Sequence, residues 1–286
     1  MRISCIILTR NNAEAFRETL GSVLAQRPRN WNSNVSVPWT WTCEIICIDS
    51  SDPPLSEDKC LCEIQRLPFQ AAEAFTFQCI HQYPPRGVYP AMNLAMTVVS
   101  GESLMFMNAG DSFFDATALD RLHGTALNFH RETGGWPRFV FGQALIQQEN
   151  GHGFCWLVPD SSLRRIGRWL RYFLPNHQTV LMEREWAVNH PFRLDAPHSA
   201  DRSWLRQALE PPTTYVYLPQ PVAIFRLGGL SSGLPDRRIL QLRLAEPSRT
   251  KWEKAAEVIK YLLRPAARWY PLLMRYKSAA VGLFCR

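Results

Sequence analysis

The chain alternates short, almost unbroken apolar runs with polar stretches, and several of these runs end on asparagine or aspartate. Residues 2–9 (RISCIILT) are short, β-branched and nearly continuously apolar, the pattern of a strand buried on both faces. The run stops at Arg10-Asn11-Asn12. Residues 13–25 then place Phe16, Leu20, Val23 and Leu24 near one face of a helix. Residues 28–38 read as a polar loop. Residues 43–48 (CEIICI) form a second buried run that ends on Asp49-Ser50-Ser51-Asp52. Strand, helix and strand at this spacing make a βαβ unit, which predicts a parallel sheet.

The same pattern continues. It predicts strands at 77–82, 103–107 and 139–147 and a helix at 89–99, with the 103–107 strand running into Asn108-Ala109-Gly110-Asp111. Residues 161–173 read as a basic amphipathic helix carrying Arg164, Arg165, Arg168 and Arg171. Asp201 precedes a helical stretch that opens Arg202-Ser203-Trp204-Leu205. Two late strands are expected at 215–218 and 222–225, and a break at 228–233. Residues 235–286 read as helical, interrupted at Pro247, Pro265 and Pro271. In parallel α/β sheets ligands bind outside the carboxyl ends of the strands. Asn11, Asp49 and Asp111 each follow a predicted strand, so the topology can bring them to one cleft.

Composition narrows the reading. The 286 residues, 46% hydrophobic and 20% charged, describe a folded chain of one large or two small domains, not a disordered one. The formal charge of +7 is concentrated at one end. Residues 251–286 carry eight basic and two acidic side chains, against 24 and 23 in the preceding 250. A nearly neutral body argues against a nucleic-acid-binding domain. In the tail, cations alternate with Trp252, Tyr261, Leu262, Trp269 and Tyr270, which suits a helix lying on an anionic membrane interface or one packed with a solvated basic face. No apolar run reaches about 18 residues, so no membrane span is expected, and the first run is too short for a secretion signal. The expected location is cytoplasmic, with contact to the inner face of the membrane. The eight cysteines lack paired C-x-x-C spacing and read as reduced thiols, not a zinc site.

Several ordered blocks resemble the family 2 glycosyltransferases, whose nucleotide-sugar-binding fold is termed GT-A. They are Ile6-Ile7-Leu8-Thr9-Arg10-Asn11-Asn12, Glu44-Ile45-Ile46-Cys47-Ile48-Asp49-Ser50 and Arg86-Gly87-Val88-Tyr89-Pro90-Ala91-Met92-Asn93, followed by residues 100–111 (SGESLMFMNAGD), Asn176-His177-Gln178-Thr179 and Ala200-Asp201. The likeness spans residues 3–232 and is nearest to members that build bacterial cell-surface polysaccharides. It implies an α/β fold with a mostly parallel central sheet over residues 1–232 and a basic helical extension over 233–286.

The resemblance also implies roles. Thr9 and Asn11 would lie near the nucleotide base, and Asp49 would accept a hydrogen bond from uracil N3–H or, structurally, cap the turn after its strand. Arg86 would bind diphosphate oxygens or stay solvated. Asn93 would reach the donor sugar or phosphate, or be an amide satisfied by backbone. Asn108 lies with the donor, and Asp111 holds the acidic position that binds Mn²⁺ or Mg²⁺ through hard oxygen ligands, or else ends a Gly-Asp turn. His177 would bind the metal or a phosphate. Asp201 falls at the catalytic base, which takes the acceptor proton in an inverting transfer, and it doubles as a helix N-cap; Asp195 is the alternative base.

The implied activity moves a hexosyl or N-acetylhexosaminyl unit from a UDP-sugar to a lipid-linked or oligosaccharide acceptor. The family usually carries Asp where this chain has Pro85 and Pro90. That departure also admits an inactive homologue serving as a binding or scaffold subunit of an assembly complex. A nucleotidyltransferase would show a Gly-rich first loop, which Thr9-Arg10-Asn11-Asn12 is not.

Overall fold

Strand β1 (Arg2–Thr9) is buried from Ile3 onward, and its alternate side chains serve two different cores. On one face Ile3, Cys5 and Ile7 pack against Phe16, Leu20 and Val23 of α1 (Ala13–Leu24) and against Leu119, Leu122 and Ala126 of α3 (Ala118–Thr133). On the other face Ile6 and Leu8 meet Met92 and Met96 of α2 (Val88–Met96), and Trp204 and Leu205 of α5 (Ala200–Ala208). A strand covered on both faces has no polar side to display, which is why β1 reads as a continuous apolar run. The computed structural model describes residues 1–28, 41–55, 73–147, 156–158, 174–195, 200–226, 237–245 and 251–262. The predicted basic helix at 161–173, the break at 228–233 and the tail from 263 onward lie outside the described residues.

The sheet runs β3 (Phe75–His81), β2 (Thr42–Asp49), β1, β4 (Ser103–Asn108), β8 (Val180–Glu183), β6 (Phe139–Gln147), β9 (Tyr215–Arg226), β5 (Ser112–Phe113), with β7 (Trp156–Val158) on β6. The β3-β2-β1-β4 half is parallel, so the carboxyl ends of four strands share one edge. Strand β8 runs antiparallel to β4 and β6, while β6 and β9 are parallel. Helix α1 starts where Asn12 accepts a hydrogen bond from Ala15 N at 3.0 Å, satisfying one of the free amides of the first turn.

Strands β1, β2, β4 and β6 lie where the apolar runs predict them, within a residue or two. The two late strands are one. Strand β9 runs unbroken through Pro219 and Pro221, against the rule that proline interrupts a strand. The register against β6 slips on both sides of Gln143, so the ladder is irregular where the prolines fall. Gly142 permits this, because a Cβ there would run into Val222 and lie 3.0 Å from the Gln220 carbonyl. Helix α3, strand β8 and the short helix α4 (Arg184–Asn189) were not predicted at all. In the C-terminal region two helices are described, α6 (Arg237–Ala245) and α7 (Lys251–Leu262), joined by a buried ion pair from Arg243 to Glu257 at 2.7 Å. Among the described residues no helix is long and apolar enough to cross a membrane. Cys5, Cys43 and Cys47 are buried thiols outside any disulfide, and burial pushes the Cys5 thiol up to about 12, far from the reactive thiolate.

Candidate active site

The ends of β1 and β2 are tied together by the polar residues that follow them. Thr9 sits opposite Asp49 in register, and Ser50 N donates to the Thr9 carbonyl at 3.0 Å. The Asp49 carboxylate is fully buried and accepts from Ser51 N at 2.9 Å and Leu55 N at 2.6 Å. Asp49 thus organises the loop after its own strand, the turn-forming role its residue type suits. Asn11 latches that loop from the other side. Its backbone N–H donates to Ser51 Oγ at 2.7 Å and its side-chain oxygen accepts from Asp52 N at 2.9 Å. Its φ of +51° is a conformation that asparagine tolerates better than most residues. Thr9 Oγ1 is buried with no hydrogen-bond partner among the described residues.

The turn after β4 holds the acidic centre. Thr19 of α1 ties it down, its hydroxyl donating to the Asp111 carbonyl at 2.6 Å and accepting from Gly110 N at 3.0 Å. The Asp111 carboxylate, 5% exposed, accepts from the Gln178 side-chain amide at 2.8 Å and from Arg226 N at 3.2 Å. Burial raises its carboxyl to about 6, a push only partly opposed by those two hydrogen bonds and by the charges of His177 and Arg226. Arg226 itself pairs with Glu18 of α1.

The short 3₁₀ turn His177–Thr179 connects this centre to the next. His177 Nε2 lies 3.4 Å from Asn108 Nδ2, and His177 Nδ1 lies 3.4 Å from Asp201 Oδ2. The other Asp201 oxygen accepts from the Tyr89 hydroxyl at 2.9 Å. Burial alone would raise the Asp201 carboxyl, but the His177 hydrogen bond and charge, the Tyr89 hydroxyl and Arg202 together hold it below its ordinary value. A continuous line of side chains therefore runs Asn108–His177–Asp201–Tyr89, with Asp111 joined to it through the Gln178 that follows His177.

The expected residues divide accordingly. Asn108, Asp111, His177 and Asp201 converge, and Thr9, Asn11 and Asp49 form the neighbouring strand-end loops. Arg86 is exposed in the segment before α2. Asn93 takes the backbone reading: its amide donates to the Phe192 carbonyl at 2.9 Å and accepts from Phe192 N at 2.8 Å. Asp201 lies within the first turn of α5, which begins at Ala200, so it is not the cap. Asp195 is 59% exposed and pairs with Arg193 at 2.5 Å. Sequence reasoning missed Tyr89 as a site residue, although it lies one helical turn before the singled-out Asn93. It also missed Arg226, which no motif marks.

The donor set suits a divalent cation. Among the described residues no three His, Cys, Asp or Glu side chains group as a complete cage. What is present is one buried carboxylate, one imidazole, and the Asn108 side-chain oxygen, buried without a hydrogen-bond partner among the described residues. Such a partial set fits an ion that takes its remaining ligands from phosphate and water, as Mg²⁺ and Mn²⁺ do.

A half-parallel, half-mixed sheet with helices on both faces, and polar loops gathered at the carboxyl edge of its parallel half, is the GT-A-type glycosyltransferase fold. Solved structures agree. S. aureus TarS 1–349 superposes with a TM-score of 0.54 at 17% identity, covering 92% of this chain and 71% of that one. Its complex with UDP-GlcNAc gives 0.56 at 17% identity over 92% and 72%, and its complex with UDP gives 0.54 at 16% over 91% and 70%. No protein-family model matches the chain, and no curated protein does.

Proposed function

We propose that the protein is an inverting glycosyltransferase of the family 2 type that moves a sugar from a UDP-sugar to an acceptor hydroxyl. The observation that carries this reading is the Asp201 carboxylate, held between Tyr89 and His177 and linked through His177 to Asn108 beside the acidic turn. This supports reading Asp201 as an ionised base, with Asn108 and the acidic turn, on the far side of His177, facing the diphosphate. In the transfer, the acceptor oxygen attacks the anomeric carbon from the face opposite UDP. The new C–O bond forms as the bond from that carbon to the phosphate oxygen breaks, and its electron pair leaves with UDP. The acceptor proton passes to Asp201. Thr9, Asn11 and Asp49 bound the region of the uracil and ribose, and Arg86, exposed beside α2, is available to the diphosphate. Asp111 and His177 would hold Mn²⁺ or Mg²⁺, which when bound offsets the negative charge that develops on the departing diphosphate.

The test is a panel of nucleotide-sugars with Mn²⁺, read by UDP release and by thermal shift. UDP species are expected to stabilise the protein in a metal-dependent way, by about 2.7 kcal/mol at a hundred times their dissociation constant. Asp111→Ala is expected to abolish the metal-dependent part. No stabilisation and no release with any UDP species would sink the reading.

The acceptor is inferred to be lipid-linked or an oligosaccharide in surface polysaccharide synthesis, reached from the cytoplasmic face of the membrane. Supporting this are the basic tail and the exposure of Ile259 (56%) and Leu262 (66%) on α7. Basic residues at an anionic surface each contribute about 1 kcal/mol. Deleting residues 251–286 is therefore expected to lower co-sedimentation with phosphatidylglycerol-containing vesicles at low salt. Unchanged sedimentation would remove the membrane contact.

A further inference from the structure

We propose that Tyr89 is a positioning residue that sets the orientation of the Asp201 carboxylate for proton abstraction; the inference rests on the reading of Asp201 as the base. The Tyr89 hydroxyl donates to Asp201 Oδ1 at 2.9 Å, while His177 Nδ1 stands 3.4 Å from Oδ2. The carboxylate is thus gripped on one oxygen by a helix on the same face of the sheet, and on the other by the 3₁₀ turn. A carboxylate on a short side chain can still rotate about its last bond, and only some rotations present a lone pair to an incoming hydroxyl. A misplacement of about 1 Å costs roughly 10²-fold in rate, so the hydrogen bond that suppresses this rotation has kinetic weight.

The grip works because the tyrosine is itself held. Its ring stacks on Phe192 with centroids 5.6 Å apart. The backbone of Phe192 is clamped by both ends of the Asn93 amide, one turn further along the same helix. Phe192 stacks in turn on Trp204 at 4.8 Å, three residues after Asp201 on α5. Trp204 is anchored through its indole N–H to the His190 carbonyl at 2.6 Å. The contacts close a ring: α2 to Phe192, Phe192 to Trp204, α5 to Asp201, and Asp201 back to Tyr89. In this ring Asn93 serves the base and not the donor. The block Val88-Tyr89-Pro90-Ala91-Met92-Asn93 is then a mounting for the catalytic helix, and it keeps this task although prolines replace the acidic residues at 85 and 90.

During transfer the acceptor oxygen forms its bond to the anomeric carbon, the bond from that carbon to UDP breaks with its electrons going to UDP, and the released proton goes to Asp201. Tyr89 keeps its own proton throughout. It acts through Asp201.

The experiment uses the full chain with UDP-GlcNAc and Mn²⁺, and measures UDP release to water, which takes the acceptor's place over the base. Tyr89→Phe retains the ring and its stack on Phe192 and removes only the hydroxyl. The expected result is a fall in kcat of about 10- to 100-fold, with KM for UDP-GlcNAc within about two-fold and the thermal midpoint unchanged. In an Asp201→Asn background, Tyr89→Phe is expected to cause no further loss, because the group it orients no longer accepts a proton. Unchanged kcat in Tyr89→Phe beside an impaired Asp201→Asn overturns the positioning role alone. A rise in KM matching the loss in kcat, or additive losses in the double variant, overturns it too and returns Tyr89 to a donor or structural role. Full activity in Asp201→Asn, or no turnover by the wild type, overturns the base reading and this inference with it.

Discussion

Asp201→Asn is expected to lower kcat for UDP release from UDP-GlcNAc by about 10²–10⁴-fold, the usual worth of a general base, while leaving KM and the UDP-induced thermal shift unchanged. The substitution keeps the size and shape of the side chain. Its carbonyl oxygen can still accept from Tyr89, which now donates at 2.9 Å. What disappears is the site proposed to receive the proton. Because neighbouring hydrogen bonds and charges hold the Asp201 carboxyl below its ordinary 3.8, the wild-type carboxylate is ionised throughout the neutral range, and the contribution proposed for it as base is expected to be lost only in acid. The contrasting variant is Asp111→Ala, which should weaken metal-dependent donor binding, so the two carboxylates separate in the measurement. Asp195→Asn supplies the control. That side chain is exposed and its described hydrogen bonds come from Arg193, so its loss should leave kcat within about two-fold. Retention of kcat within ten-fold in Asp201→Asn would show that the proton leaves by another route.

The parts of the fold that could be read from the chain are those whose signal is local. Strands β1, β2 and β4 are covered on both faces, so burial writes itself into each as an unbroken apolar run. The acidic and amide residues that end them were visible because a buried run stops abruptly at a polar one. Helix α3 escaped notice because its apolar positions are thinly spread among polar ones, although Leu119, Leu122 and Ala126 are all buried. Strand β9 was split in two by a rule about proline that the irregular register at Gln143 circumvents. Asn93 and Tyr89 show a subtler limit. Residue type and spacing put them on one helical face near the ligand end of the sheet. The partners that decide their roles, Phe192 and Asp201, lie 99 and 112 residues away. Pairings at that distance leave no periodicity behind. The same holds for Glu44, which the family likeness includes in a block without giving it a task.

Glu44→Ala is expected to cost about 3–5 kcal/mol of stability, the range for stripping one partner from a buried, hydrogen-bonded charge. Glu44 lies on β2, 4% exposed, and the chain reaches it from three directions. Ser100 donates to it through both its backbone N–H and its hydroxyl, each at 2.5 Å. Gly101 N donates at 2.9 Å, Ser4 Oγ of β1 donates as well, and the Arg2 guanidinium stands at 3.2 Å. One carboxylate thus fixes the turn that delivers the chain into β4, the strand whose far end carries Asn108 and leads to Asp111. It also explains why Ser100-Gly101 accompanies Glu44. A Cβ on residue 101 would sit 2.7 Å from Ser4 Oγ and 2.8 Å from the Arg2 carbonyl, so only glycine brings its N–H close enough. Removing the carboxylate leaves the Ser100 amide without its acceptor, at about 1–3 kcal/mol for a buried group, and leaves the Gly101 amide with Ser4 Oγ at 3.0 Å in place of two acceptors. Against a total stability of about 5–15 kcal/mol this is a large fraction, visible in urea or thermal unfolding. Glu44→Gln should cost less, because its amide oxygen still accepts from the Ser100 and Gly101 backbone, although its NH2 end no longer accepts from Arg2 or Ser100 Oγ. The pH dependence has a definite sign. Burial alone raises the Glu44 carboxyl, but the bonds from Ser100, Ser4 and Gly101 outweigh it and hold the group below 4.5. A depressed carboxyl stabilises the fold above its unfolded value and loses that contribution as pH falls through its folded value. The gap between wild type and Glu44→Gln should therefore be constant from pH 6 to 8 and close below about pH 4.5. A gap that widened in acid, or a Glu44→Ala protein as stable as the wild type, would show that the turn before β4 is held by other means.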